Sequence, residues 1–284
     1  MAKRTIPATV TIIGPGSLGS VLAGAFHSAG CRIEELVVRS ASRSKRASQK
    51  LATRLGARLA VLPAARLTAD VIWICVPDDA IATVAAVIGR RLSRRQTLLH
   101  SSGVLTSDIL RHGDYVVASA HPMMSFTRAL PAPLKGVGFA LEGDRRAVSI
   151  ARKLIAVCEG DSFAIAPRQK VLYHAFGSFC SPLLLATLVA AESVGKAAGI
   201  KQSKLRTLSA PIMRKTLENY LAEGGAKALS GPLRRGDTAT IERHLQALQA
   251  MPEIKRIYVA LSRFAVERLP GKDKAKLLKL LATS

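Results

Sequence analysis

The sequence predicts an α/β domain with a doubly wound, mostly parallel sheet, followed by an all-helical C-terminal domain. Three observations predict it. Short apolar runs alternate with amphipathic helical patterns up to about Ala166. A glycine-spaced turn joins the first run to the first helical pattern. After Pro167 the strand pattern stops, and later segments carry helical spacing. Alternating strands and helices build a parallel sheet wrapped by helices, whereas a run of helices builds a separate bundle. The predicted domains are therefore 1–166 and 167–284.

The strands are expected at Thr9–Ile13, Ile33–Arg39, Val71–Val76, Thr97–Ser101, Tyr115–Ala120, Val137–Glu142 and Ser162–Ile165. Leu18, Val21, Leu22 and Ala25 form the apolar stripe of the first helix. The helical half reads as Arg168–Ala198, Gln202–Glu223, Thr238–Gln249, Glu253–Leu269 and Lys272–Leu281, punctuated by Pro252 and Pro270-Gly271. The longest uncharged run, Val171–Ala191, is long enough to raise a membrane span. Tyr173, His174, Ser178, Ser181 and Pro182 argue against one, and the run reads as a buried helix of a soluble domain.

Composition narrows the function. Hydrophobic residues make up 49% of the 284 and charged residues 21%, which suits a globular chain rather than a disordered one. The net charge of +23 attracts anions, dinucleotides and acidic metabolites among them. Aromatic content is 4%, so stacking platforms for nucleic-acid bases are not evident, and no specific nucleic-acid partner is expected. Cys31, Cys75, Cys158 and Cys180 form no C-x-x-C pair and lie at no zinc-ligand spacing from a histidine. They read as buried, reduced thiols in a cytoplasmic protein, with no metal.

The strongest local signal is Gly14-Pro15-Gly16-Ser17-Leu18-Gly19, a G-x-G-x-x-G turn between a strand and a helix. In a Rossmann-type unit the first glycine permits the tight turn. The second lets backbone approach a pyrophosphate, and the third lets helix pack on strand. The free N–H groups and dipole of the helix start then favour the phosphates. A partner residue is expected after the second strand, where an acidic side chain would hold the ribose 2′-hydroxyl of NAD. Here Arg39 and Ser40 stand there, with Arg43, Lys45 and Arg46 behind them, while Glu34-Glu35 falls at the strand's other end. Arginine grips a 2′-phosphate with two donors, so the expected cofactor is NADP(H).

Other candidates sit at the ends of later strands. Val76-Pro77 lets backbone pass close to the cofactor, and Asp78 and Asp79 read as helix caps. Ser102 is placed to donate to substrate. His121 is placed to move a proton, with a structural hydrogen bond as the alternative. Lys170, His174, Ser178 and Ser181 step by four, four and three, so they share one helix face, towards either a cavity or another helix. Arg235 and Asp237 lie in a Gly/Pro-rich stretch that either holds an anionic substrate group or caps a helix. His121, Ser102 and His174 are the catalytic candidates. Ser178, Ser181, Arg235 and Asp237 are the substrate candidates.

Together Gly14–Gly19, Ser102-Gly103, His121-Pro122, Tyr173-His174, Ser230-Gly231-Pro232, Arg235-Gly236-Asp237 and His244 resemble the Rossmann-like proteins whose helical half is called domain of unknown function 2520. That resemblance spans nearly the whole chain and implies an NADP-dependent oxidoreductase. More distantly the layout is similar to pyrroline-5-carboxylate reductase and the β-hydroxyacid dehydrogenases, which implies a helical domain that mediates dimerisation. His121-Pro122-Met123 resembles the prephenate dehydrogenases, where the matching histidine serves hydride chemistry. Two departures block transfer of a substrate. The reductases carry a Gly between the residues matching Ser181 and Pro182. The hydroxyacid dehydrogenases follow their lysine with an Asn pair, where Lys170 is followed by Tyr173-His174. The reading is thus hydride transfer to or from a C=O or C=N carbon of a small, anionic metabolite, in a homodimer formed through the helical domain and off the membrane. The alternative is a non-catalytic dinucleotide-binding regulatory or sensing protein.

Overall fold

A computed structural model describes residues 9–39, 45–127 and 133–283. The chain divides into two compact units between Phe179 and Cys180.

The first unit is built on an eight-stranded sheet ordered β3-β2-β1-β4-β5-β6-β7-β8. Its strands are β1 Thr9–Ile13, β2 Arg32–Val38, β3 Arg58–Val61, β4 Val71–Ile74, β5 Thr97–His100, β6 Val116–Pro122, β7 Gly138–Gly143 and β8 Asp161–Ala164. Every neighbouring pair is parallel except β6 with β7. The helices are α1 Ser17–Ser28, α2 Lys45–Leu55, α3 Asp78–Gly89, α4 Arg145–Val157 and α5 Lys170–Ser178. β4 is wholly apolar, and β1, β4 and β5 are almost wholly buried, as strands covered on both faces must be. One core packs α1, α2 and α4 on the sheet through Leu22, Phe26, Leu51 and Leu154. A second core packs Ile81, Val84 and Ile88 of α3 on the opposite face. The strand order reverses at β1 and β4, the switch point at which open α/β sheets bind ligands.

The second unit holds α6 Leu184–Ala197, α7 Gln202–Glu223, α8 Gly225–Ala228, α9 Gly231–Arg235, α10 Thr238–Ala247, α11 Pro252–Arg268 and α12 Lys274–Ala282. Its buried core is small, centred on Ile241, Leu245, Val266, Leu277 and Leu281.

Four expectations need correction. Strand β3 had no period-2 signal long enough to mark it, because it is four residues opening on Arg58. The expected helix over Arg168–Ala198 is present as one helical run, Pro167–Ala197, with two irregular turns. A 3-10 turn spans Pro167–Gln169, and a π turn spans Phe179–Leu183. Pro182 lies inside that turn, has no N–H to donate, and accounts for the local widening of the helix. The first unit therefore runs on through α5, beyond the expected boundary at Ala166, because Lys170 is fully buried in it. Val171–Ala191 is not a buried helix within one chain. Leu172 is 77% exposed and Phe179 70%, and Ala190 alone of that run is buried. The stretch Pro167–Ala197, which contains an 18-residue window of mean hydropathy 1.5, is long and apolar enough to cross a membrane by length and composition. The cysteines are all free, and Cys180 is exposed rather than buried because it stands in the π turn.

Candidate functional site

The glycine turn has the geometry a dinucleotide needs. Gly14 has φ +89°, and a Cβ there would lie 2.8 Å from the Cys75 carbonyl oxygen. A Cβ at Gly19 would lie 2.3 Å from the Gly14 carbonyl oxygen, so only glycine lets α1 start this close to β1. Gly16 differs: a Cβ there would meet nothing within 4 Å, and its face is open. The first helical bond of α1 runs from Ser20 N to Gly16 O at 3.0 Å, and no side chain caps the helix. Ser17, Leu18 and Gly19 thus keep N–H groups that the helix does not use. The Ser20 hydroxyl donates to the Pro15 carbonyl at 2.9 Å and braces the loop. An open Gly16 face over unused N–H groups fits a pyrophosphate.

The flanks of this turn agree in part with the sequence reading. Arg39 directly follows β2 and is exposed. Ser40 and Arg43 lie outside the described residues. Glu35 is buried and accepts from Arg58 and from the backbone N–H groups of Arg66 and Leu67, so it is spent on structure. Val76 and Pro77 follow β4 at the switch point, and Pro77 is the N-cap residue of α3. Asp78 and Asp79 are not the expected caps. They occupy the helix's first turn, where the dipole favours them, and no side-chain cap bond forms.

Beyond β5 and β6 a buried polar cluster has formed. Ser102 Oγ donates to Asp78 Oδ2 at 2.7 Å and accepts from the N–H groups of Val104 and Leu105. Its one proton is committed, and the residue is 3% exposed. The expected substrate donor is therefore a fastener that ties the β5 loop to α3. Lys170 opens α5 and is fully buried. Its Nζ donates to the Ser102 carbonyl at 3.1 Å and to Ser119 Oγ at 2.6 Å, with Glu142 Oε1 at 3.8 Å. Glu142 in turn accepts from the N–H and hydroxyl of Ser107. Burial pushes the Lys170 ammonium down, against the pull of Glu142 and Asp78.

His121 leaves β6 half-buried. Its Nδ1 lies 3.0 Å from the Tyr173 hydroxyl, and its ring stands edge-on to Tyr173 and, at 5.7 Å between centroids, to His174. Burial, then repulsion from His174 and Lys170, lowers its pKa to about 4. Burial raises Tyr173 to about 12. Gly103 makes room for this group. A Cβ there would lie 2.4 Å from His174 Cδ2 and 2.8 Å from His121 Nε2. His100 is a second neutral imidazole, pushed to about 4 mainly by burial and then by Lys170. The N–H of Ser102 donates to its Nδ1, so its Nε2–H is the group facing the Thr106 carbonyl.

The structure thus brings His121 and His174 together, adds Tyr173 and Gly103 to them, and withdraws the Ser102 hydroxyl. Ser178 donates to the His174 carbonyl one turn back, so its proton stays within the helix. Ser181, in the π turn, is exposed. In the second unit Asp237 caps α10 by accepting from Thr240 N at 3.0 Å and from the Thr240 hydroxyl, the capping alternative. Arg235 stands 4.0 Å from that carboxylate and is 65% exposed. Ser119 and Glu142 carried a signal that the sequence reading missed: each is a polar residue inside an otherwise apolar strand.

Residues 9–102 match the family described as NADP oxidoreductase coenzyme F420-dependent, and residues 137–265 match the Domain of unknown function (DUF2520). A comparison with curated proteins gives no match. Among solved structures the chain is similar to a Bacteroides fragilis protein provisionally described as an NADP oxidoreductase, at 21% identity and TM-score 0.78. That match covers 92% of this chain and 98% of the other. It is similar to a reductive aminase from Aspergillus terreus in complex with NADPH, at 18% identity and TM-score 0.64, covering 96% and 98%. Pyrroline-5-carboxylate reductase from Streptococcus pyogenes matches at 14% identity and TM-score 0.59, covering 97% of each. At these identities the structural likenesses establish the fold. Residues 9–102 are thus similar to the NADP oxidoreductase family and residues 137–265 to the DUF2520 family, one following the other along the chain.

Proposed function

We propose that the protein is an NADP(H)-dependent oxidoreductase that passes hydride to or from a C=O or C=N carbon of a small, anionic metabolite. The observation that carries this reading is the shared sheet edge. The open Gly16 turn follows β1, Val76-Pro77 follows β4, the Ser102-Gly103 loop follows β5, and His121 closes β6. Nicotinamide cofactors supply the hydride, and a protein of this kind supplies binding, orientation and charge stabilisation. Here the unused N–H groups of Ser17, Leu18 and Gly19 would hold the pyrophosphate. Arg39 would hold the 2′-phosphate. His121 would face the reacting oxygen or nitrogen, with Tyr173, His174 and Gly103 setting its place. NADP is named in the family description over residues 9–102, and the aminase of similar fold was solved with NADPH. The +23 charge supports an anionic substrate.

Two companion proposals concern assembly and place. Leu185, Val189, Leu208, Ile212 and Leu221 of the helical unit are all more than half exposed, and a second copy covering them would form the homodimer. Four free cysteines support a reducing, cytoplasmic setting.

A metabolite screen that follows NADPH absorbance tests the function. A compound oxidising NADPH only with the enzyme present is the expected result. Tight NADPH binding with no turnover on any compound would favour the regulatory reading instead.

A further inference from the structure

We infer that Tyr173 is a positioning residue that locks His121 in its Nε2–H form, so that His121 works as a neutral hydrogen-bond donor to an oxygen gaining negative charge. The role in turnover rests on the function proposed above; the locked ring form does not.

The argument starts from hydrogen-bond direction. The Tyr173 hydroxyl has one proton and two acceptors in reach: His121 Nδ1 at 3.0 Å and the His121 carbonyl at 3.4 Å. The shorter bond takes the proton, which makes Nδ1 an acceptor and leaves the ring proton on Nε2. A hydroxyl whose pKa is raised to about 12 stays protonated near neutral pH, and an imidazole lowered to about 4 stays neutral there. The groups facing His121 hold it neutral from several sides. His174 and Tyr173 stand on α5, Lys170 lies beneath, and His100 ends β5. The carboxylates acting on Lys170, Asp78 and Glu142, are taken up by Ser102, Ser107 and the Lys170 ammonium. Among the described residues Nε2 has no hydrogen-bond partner, and it borders the space left by the missing side chain of Gly103.

Such a ring is a poor acid, because its neutral Nε2–H does not ionise at ordinary pH. It can stabilise charge as it develops but cannot first protonate a nitrogen. That favours a carbonyl over an imine activated as its cation. NADPH, when bound, would supply hydride to the carbonyl carbon, and the C=O π pair would move onto the oxygen beside Nε2–H. Water then supplies the proton that completes the alcohol, and NADP+ and hydroxide are left.

The test is the side-chain nitrogen spectrum of the full-length protein, labelled with 15N-histidine and free of cofactor, near neutral pH. His121 is assigned by the signal lost in His121→Gln. Proton-bearing Nε2 with a lone-pair Nδ1 is expected, persisting to about one pH unit below the ordinary histidine range. In Tyr173→Phe the two nitrogens should average between the forms. An Nδ1–H signal in the wild type would overturn the inference, because Tyr173 would then accept from the ring and donate to the carbonyl. An unchanged spectrum in Tyr173→Phe would also overturn it. Should that variant not fold, Tyr173→Leu, which also lacks a donor, replaces it, with the same reading. None of these outcomes depends on turnover, so a failed lock and a failed enzyme are told apart. For a substrate found by the screen, an alcohol product agrees and an amine product contradicts the oxygen role.

Discussion

The molecule makes the same histidine–tyrosine pair twice, in two different surroundings. In the sheet unit His121 Nδ1 lies 3.0 Å from Tyr173 Oη, with rings at 89°. In the helical unit His244 Nδ1 lies 3.0 Å from Tyr258 Oη, with rings at 86°. The bond is equal, and the settings are not. His121 stands against a second histidine and above a buried lysine, and its pKa falls to about 4. The His244 pair lies in an exposed position. The difference teaches that the pair by itself is only a way of fixing a ring. What sets one of them apart is the company of Lys170, His174 and Gly103 at a strand end, and the proposed function rests on that company.

The largest effects should follow from disturbing that company. His121→Ala should lower turnover by roughly 10²–10³, the usual worth of one donor aimed at a developing oxyanion, while NADPH affinity by calorimetry stays near wild type. Gly103→Ala should cost about 10² in kcat, because the methyl pushes both imidazoles from position. Unchanged kcat in either variant would make the two histidine pairs equivalent. Lys170→Met leaves Glu142 buried without its cation and should cost about 3 kcal/mol in urea unfolding. Lys196→Met, on the exposed face of α6, should stay within about 0.5 kcal/mol.

Acid sharpens the same contrast. His100 and His121 have folded pKa values near 4 against an ordinary 6.5, so between those values the unfolded chain binds more protons than the native one. The stability they confer is full above about pH 6.5 and is lost as pH falls towards 4. Urea midpoints across that window should drop for the wild type, and more shallowly for His121→Gln. Arg39→Ala should weaken NADPH about tenfold, near 1.4 kcal/mol, and leave NADH unchanged. Equal weakening of both cofactors would remove Arg39 from the 2′-phosphate. The smallest effect is expected for His244→Ala, with kcat within about twofold.

Much of the sheet unit could be read from residues alone. The glycine turn, seven of the eight strands and the mostly parallel order follow from local pattern, because buried parallel strands are continuous apolar runs. Ser102 shows the limit of that reading. A serine after a strand is compatible with a substrate donor and with a loop fastener, and only the position of Asp78, 24 residues earlier, decides between them. Lys170 was placed on a polar helical face, yet its burial depends on Ser119 and Glu142 from two distant strands. Tyr173 was visible beside His174, but its bond to His121 spans 52 residues. The helical unit was legible in its helix positions and less so in its burial. Periodicity marks an apolar face without saying whether this chain or another copy covers it.

The central claim is hydride transfer at the strand-end cluster, and one measurement meets it most directly. NADPH deuterated at nicotinamide C4 is incubated with the protein and a metabolite extract, and small molecules are followed by mass spectrometry. The account predicts one product that gains deuterium at carbon with the wild type and loses that gain with His121→Ala. Bound NADPH that transfers deuterium to nothing, or equal transfer by the His121→Ala protein, would contradict it.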